Sequence, residues 1–526
     1  MGPYDYIVVG AGSAGCVLAH RLSADPSRTV LLLEAGHGDR SPFIHMPAGI
    51  SRLVHNRRIN WDYYTEPQRK LVNRRLWWPR GKVLGGSSSI NAMCYIRGQA
   101  EDYDGWAQAG CAGWSYAELL PYFRASENSY RPPSVFHGKD GPLDVSELPF
   151  RNPLSTVFIQ AAIEYGLLTN PDFNAGSQRG VGFYDVTQRA GRRCSSATAF
   201  LGASRGRPNL TVLTGSWVTR ICLAGDRSVG VELVQGRKLN RVAGGEVVLA
   251  AGAVNSPQLL MLSGIGPPAH LESMGVQVAV PLPGVGHNLQ DHLDYATLYT
   301  CLQPLTYDFG ATREALAALR YWLTHSGPAV SNIAEAGGFV SAGQGDRSRP
   351  DVQLHFVPLQ LDDHGRNRMS GNGFTLHASL LRPESRGYIE LRSSDPHDKP
   401  AICPNYLESE VDLDTLTAAV TLSRDIIRQP AFQAFRGREI FPGCGIDDAV
   451  SVRESIRRKA ETIYHPVGTC KMGTGSDAVV DSSLRVHGIR GLRVADASIM
   501  PRIVSGNTNA PTIMIAERAA TLIVGA

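Results

Sequence analysis

Cysteine is present in this chain but never in a usable pattern. Cys16, Cys94, Cys111, Cys194, Cys222, Cys301, Cys403, Cys444 and Cys470 form no C-x-x-C pair. An odd count spread this widely fits no disulfide framework, and a reducing cytosol is the simplest compartment. No run of about 18 apolar residues occurs, so no membrane-spanning helix is expected. No charged and apolar leader precedes the first strand, which argues against export through a signal peptide. Charge of one sign is also scarce: the net value is +4 and the arginines are scattered. That excludes the basic footprint of a nucleic-acid binder. The H-E-x-x-H spacing of a metal site and the G-x-S-x-G elbow of a hydrolase are both missing. No internal repeat, low-complexity tract or long linker divides the chain, so its domains are expected to interleave through chain crossings.

What is present begins at Tyr4. The run DYIVVGAGSAG is followed by a helix-compatible segment to Leu22 and then by TVLLLEAG. Strand, G-x-G-x-x-G turn, helix and second strand with a terminal acid make the βαβ dinucleotide fingerprint in its proper context. Gly10 permits the tight turn, Gly12 lets the backbone approach a pyrophosphate, and Gly15 lets helix and strand pack closely. Glu34 stands where a carboxylate meets a ribose hydroxyl. A second loop rich in small residues, RGKVLGGSSSINAMCYIRG from Arg80 to Gly98, can lie flat against a planar or phosphorylated ligand. Ser89-Ile90-Asn91 is a plausible helix start there. Asp102 to Phe123 has helical periodicity. Ala250 to Ala253 ends a buried strand, and Ser256-Pro257 is placed to open the next helix. The strand-turn-helix pattern suggests a second contact with the same ligand, through residues such as Ala251.

With 526 residues the chain exceeds one ordinary core. Residues 1–297 read as the nucleotide domain, with excursions at about 40–75 and 150–195. Residues 298–460 read as an α+β substrate domain, and 461–526 return to the first domain. In that return, GLRVADASIMP places Asp496 at a strand end, and Pro511 opens a helix whose N-terminus, from Thr508 to Thr512, faces the cofactor. His465, in the turn TIYHPVGTCKMG, suits a base of near-neutral pKa, and Asn509 is placed to bond a substrate oxygen beside it.

These motifs together resemble the glucose–methanol–choline (GMC) oxidoreductase family along nearly the whole chain. They are GAGSAG with Glu34, GKVLGGSSSINAMCYIRGQAEDYD (Gly81 to Asp104), GAVNSPQLLMLSGIG (Gly252 to Gly266), GVGHNLQDH, SRG, YHPVGTCKMG and VADASIMP. The resemblance implies a Rossmann-like FAD domain interleaved with a substrate domain built on an antiparallel sheet. It implies that Gly10, Gly12, Ser13, Ala14 and Gly15 meet the pyrophosphate region, and Glu34 with Ala35 the adenosine ribose. Gly86, Asn91, Ala92, Met93 and Cys94 would run along the flavin, with Val218 at the adenine. Ala251, Asp496, Ala497, Asn509, Pro511 and Thr512 would close the site. His465 matches the family's proton acceptor, and Asn509 is taken for its partner. Ile90 occupies the place where some members attach FAD through histidine, so non-covalent FAD is expected. In character the chain is similar to the family's membrane-associated alcohol dehydrogenases and choline dehydrogenases. Oxidation of a primary alcohol (aliphatic, aromatic or polyol-type) to an aldehyde follows, with a quinone-type acceptor and loose attachment to the cytoplasmic face of the membrane. Choline oxidation with Glu335 as the ammonium partner, an oxygen-dependent oxidase and an FAD-containing hydroxynitrile lyase are the alternatives.

Overall fold

The computed structural model describes residues 3–53, 55–343, 349–367 and 369–525. Strand β1 (Tyr4–Val9), helix α1 (Ser13–Leu22) and strand β2 (Val30–Leu33) form the βαβ unit expected from the glycine pattern. Every residue of β2 is buried, as a parallel strand covered on both faces requires. On the other side β1 pairs in parallel with the end of strand β3 (Lys238–Leu249), so that Val9 faces Leu249. The first half of β3 belongs to an antiparallel ribbon with Ser216–Ala224 and Arg227–Gln235. Strands at Leu210–Leu213 and Leu492–Val494 complete this sheet, the second of them returning from the far end of the chain.

A second sheet is antiparallel. Its order is Arg436–Phe441, then β4 (Leu293–Cys301), β6 (Gly373–Leu380), β5 (Val352–Val357), Ala336–Val340 and Gly180–Phe183. Every residue of β5 and β6 is buried, although they alternate between apolar and polar. Leu354, Phe356, Phe374 and Leu376 pack on helices Pro153–Glu164 and Glu410–Arg428. The intervening Gln353, His355, Thr375, His377 and Ser379 therefore point the other way, toward the first sheet. A sheet with one apolar face and one buried polar face is a site wall.

Two further helices matter for the site: α2 (Gly310–Thr324) and α3 (Asn509–Val524). Three local expectations are corrected. The periodic stretch from Asp102 to Phe123 is two helices, Ala100–Gln108 and Tyr116–Ser126, separated where Gly110 and Gly113 take positive φ. No α-helix starts at Ser89 to Asn91; Gly86–Ser89 is a 3-10 turn that ends at Ile90. The helix at Gly252–Leu262 begins before Pro257 and contains it. The ring removes the N–H that would have bonded the Ala253 carbonyl, and the Thr469 hydroxyl takes that acceptor at 2.6 Å.

Candidate active site

A single cavity of about 1270 Å³ runs between the two sheets, well above the ~300–1,000 Å³ of an ordinary small-molecule pocket. Nearly all the residues expected to hold the cofactor line it: Gly10, Gly12, Ser13, Ala14, Glu34, Ala35, Gly86, Asn91, Ala92, Met93, Cys94, Val218, Ala251, Asp496, Ala497, Asn509 and Thr512. Gly15 and Pro511 do not. A Cβ on Gly15 would come within 1.7 Å of the Gly10 carbonyl oxygen, so this glycine serves helix–strand contact. Pro511 sits in the buried first turn of α3.

The glycines separate by cause. A Cβ on Gly10 would lie 2.6 Å from the Ala250 oxygen, and one on Gly86 2.6 Å from the Gly12 Cα. Both are glycine because the chain packs against itself. Gly12 is different: an added Cβ meets nothing nearer than the Gly86 Cα at 3.9 Å. The bare backbone there serves whatever fills the cavity, as close approach of a pyrophosphate demands.

Around this floor the polar groups are already organised. Glu34 accepts from the Ala11 and Gly36 amides at 3.0 and 2.8 Å, and burial pushes its pKa up to about 7. Asp496 accepts from the Gly252 amide, the Ser256 hydroxyl and the Ser498 amide; burial raises its pKa despite them. Arg193, which the sequence did not single out, donates to both the carbonyl and the side-chain oxygen of Asn91 at 2.6 and 2.8 Å. Its guanidinium thereby fixes the small-residue loop over the cavity.

At the other end, His465 lines the cavity with Asn507, His355 and Tyr464. The expectation that Asn509 stands beside His465 is corrected. Asn509 is the first residue of α3, and its oxygen accepts from Ser13 Oγ at 2.7 Å, next to the glycine turn. Asn507, two residues earlier in the preceding turn, places Nδ2 3.3 Å from His465 Nε2. Its oxygen accepts from Gln353 Nε2 at 3.0 Å, which turns the NH2 group toward the histidine.

The proton positions follow from the surroundings of His292, whose ring meets the backbone carbonyls of Leu381 and Val504. His292 Nε2 lies 3.1 Å from the Leu381 carbonyl, which can only accept, so Nε2 carries the proton. Burial pushes the His292 pKa down to about 3, and the neutral ring then offers a lone pair at Nδ1. His465 Nδ1 is 3.0 Å away and must donate to it. The lone pair of His465 is therefore on Nε2, facing the cavity and Asn507. Burial, reinforced by His292, His355 and Arg80, holds the His465 pKa well below 6.5. The backbone of this residue is also pinned, its N–H donating to Asp291 at 2.7 Å. Sequence reading missed His292, Gln353 and Asn507. The alternation of polar and apolar residues in β5 was the available signal for Gln353. Among the described residues no group of three or more His, Cys, Asp or Glu side chains is arranged to hold a metal ion.

Comparison with known proteins agrees with this geometry. Models of the GMC oxidoreductase family match residues 4–294 and 383–516. An alcohol dehydrogenase (acceptor) of Pseudomonas putida is 49% identical over 99% of this chain and 96% of the relative. A mitochondrial choline dehydrogenase of Mus musculus is 45% identical over 99% and 89%. Among solved structures, pyridoxine 4-oxidase from Mesorbium loti superposes with a TM-score of 0.91 at 35% identity, covering 99% of each chain. Members of the family bind FAD, and the cavity fits such a group in size, in its glycine floor and in its polar contacts. One substitution separates the fold from the ligand. Gly12→Val should leave circular dichroism and melting temperature close to those of wild type stripped of FAD, while the purified protein loses its yellow flavin. A fully flavinylated Gly12→Val protein would contradict the assignment of that surface to the cofactor.

Proposed function

The chain belongs to the GMC oxidoreductase family, and from that premise we propose that it oxidises a primary alcohol to an aldehyde, using non-covalently held FAD and a quinone-type electron acceptor. The observation that carries this is the pair at the cavity wall: a neutral imidazole lone pair on His465 Nε2 and an amide NH2 on Asn507, 3.3 Å apart. A hydroxyl that meets both from the cavity side donates to the first and accepts from the second. As the O–H proton moves to His465, the Asn507 dipole stabilises the charge growing on oxygen. FAD, when bound, supplies the acceptor for the hydride that leaves the carbinol carbon. The chain's own part is to hold the base unprotonated, orient the oxygen and exclude water. Ile90, which lines the cavity, offers no nucleophile for attachment and supports non-covalent binding.

Choline is the competing substrate, and its quaternary ammonium calls for an aromatic cage and a carboxylate. Glu335, the carboxylate best placed in sequence for that task, is wholly buried. It accepts from the Asn152 amide at 2.7 Å, from the Ser155 and Ser331 hydroxyls at 2.8 and 2.6 Å, and from the Tyr307 hydroxyl. A carboxylate so fully occupied holds the fold together and is not free to meet an ammonium.

Attachment to a lipid surface is supported by α2. Its Leu316, Leu319 and Leu323 are 61%, 55% and 73% exposed, at i, i+3 and i+7 on one side of the helix. Glu314, Ala317, Ala318 and Trp322 of the same helix line the cavity, so one helix carries both the exposed apolar stripe and part of the cavity wall. Among the described residues no helix is long and apolar enough to cross a membrane.

Mixed anaerobically with short primary alcohols, the holoprotein should bleach its flavin band. His465→Ala should slow bleaching by about 10²–10⁴-fold with FAD retained, and Asn507→Ala should slow it more than Asn509→Ala does. Because the His465 pKa lies well below 6.5, its base form persists as pH falls, and the wild-type reduction rate should stay flat from pH 9 down through about 6.5. An inflection near 6.5, or no bleaching by any primary alcohol, would overturn the proposal; reoxidation by air as fast as by a quinone analogue would make the protein an oxidase. Separately, wild-type protein should sediment with vesicles, and a triple Leu316→Glu, Leu319→Glu, Leu323→Glu variant should remain in the supernatant. Equal sedimentation of the two proteins would contradict the role given to α2.

A further inference from the structure

A second pair of imidazoles faces the same cavity and has no part in the proton transfer just described. His377 of β6 is tied through Nδ1 to Asp294 of β4 at 2.6 Å, and Asp294 also accepts from Ser379 Oγ at 2.9 Å. Asp294 is wholly buried behind the wall, while His377 lines the cavity. With Nδ1 turned to the carboxylate, the opposite nitrogen, Nε2, is left for the cavity. Over this ring lies His364, from the loop between β5 and β6, stacked at 5.5 Å between centroids and 18° between planes. His364 also lines the cavity, and its Nε2 is buried with no hydrogen-bond partner. That nitrogen is screened from the cavity, so His364 bears on the site through its ring, stacked on His377.

These rings are close to the catalytic pair. His364 sits 5.1 Å from the ring of Tyr464, the residue before His465. His377 stands opposite His355 in the β5–β6 register, and both line the cavity with His465. The free nitrogen of the carboxylate-oriented His377 can hydrogen-bond one oxygen in the cavity, with His364 stacked on its ring. A hydroxyl meets that nitrogen; a methyl or methylene group leaves it stranded.

We propose that His377 and His364 form a recognition subsite for a second hydroxyl of the substrate, so that the preferred alcohols are diols or related polyols whose far oxygen binds there while the near one meets His465. The proposal rests on the assignment of His465 as the base, and it narrows the substrate class of that site. Asp294 acts behind the subsite by orienting His377, as carboxylate partners commonly orient imidazoles.

The test uses holoenzyme and two series, 1-alkanols and terminal diols of three to eight carbons, with anaerobic flavin reduction and steady-state kcat/KM as readouts. At one chain length the diol should exceed the 1-alkanol of equal carbon number by about tenfold or more, since a site built to bond a hydroxyl discriminates against its absence. That ratio should fall toward one in His377→Phe and recover in part in His377→Gln, which can still donate and accept. Because His377→Phe strands Asp294, His364→Ala provides a second variant that removes no hydrogen bond to that carboxylate, and by freeing the His377 ring it too should lower the ratio. A ratio near one at every chain length in the wild type overturns the subsite while leaving the base assignment standing. A large ratio that survives both His377→Phe and His364→Ala overturns it equally. If no alcohol of either series reduces the flavin, the base assignment and the subsite fall together.

Discussion

The Leu381 carbonyl accepts a hydrogen bond from His292, and through it the backbone just past the end of β6 determines where a proton resides on the catalytic-type histidine. A carbonyl has no proton to give, so His292 must donate from Nε2; its buried ring stays neutral, so Nδ1 must accept. His465 then has no choice of tautomer. Neither histidine needs a carboxylate for this. A carboxylate contact would raise the imidazole's affinity for a proton, whereas a neutral imidazole fixes the ring's orientation without doing so. The result is a base that is oriented and unprotonated at once.

The same economy governs the rest of the wall. Asp291 accepts from the His465 amide and from the hydroxyls of Thr462 and Tyr406, and so ties the turn that carries His465 to the segment just before β4 that carries His292. Gln353 turns the Asn507 carboxamide, and Asp294 turns His377. These orienting groups come from the second sheet, and the groups they orient face the cavity floored by the first. The cavity lies where the polar face of an antiparallel sheet meets the glycine turns of a parallel one.

Much of this was legible in the sequence. The glycine spacing with Glu34 gave the βαβ unit almost to the residue, because tight turns and close backbone contacts leave few substitutes for glycine. Most of the residues that line the nucleotide end were named from motifs. The illegible part was relational. His292 and His465 are 173 residues apart, and nothing local in either segment announces the other. The choice between Asn507 and Asn509 depends on where α3 begins. Asn509 is its first residue and turns toward Ser13, while Asn507 remains in the turn and faces His465; SGNTN has no periodicity from which that two-residue step can be read. Pro257 misled for a related reason: the proline looked like a helix start because the hydroxyl that accommodates it, on Thr469, lies in another part of the chain.

The orientation of His465 is the claim on which the chemistry depends, and histidine tautomers are directly visible by ¹⁵N NMR. With ¹⁵N-histidine in the oxidised holoprotein at neutral pH, the signals of His465 and His292 can be assigned by their loss in single substitutions. The account predicts His465 protonated at Nδ1 with a bare Nε2, and His292 protonated at Nε2. A His465 protonated at Nε2, or at both nitrogens, would contradict it.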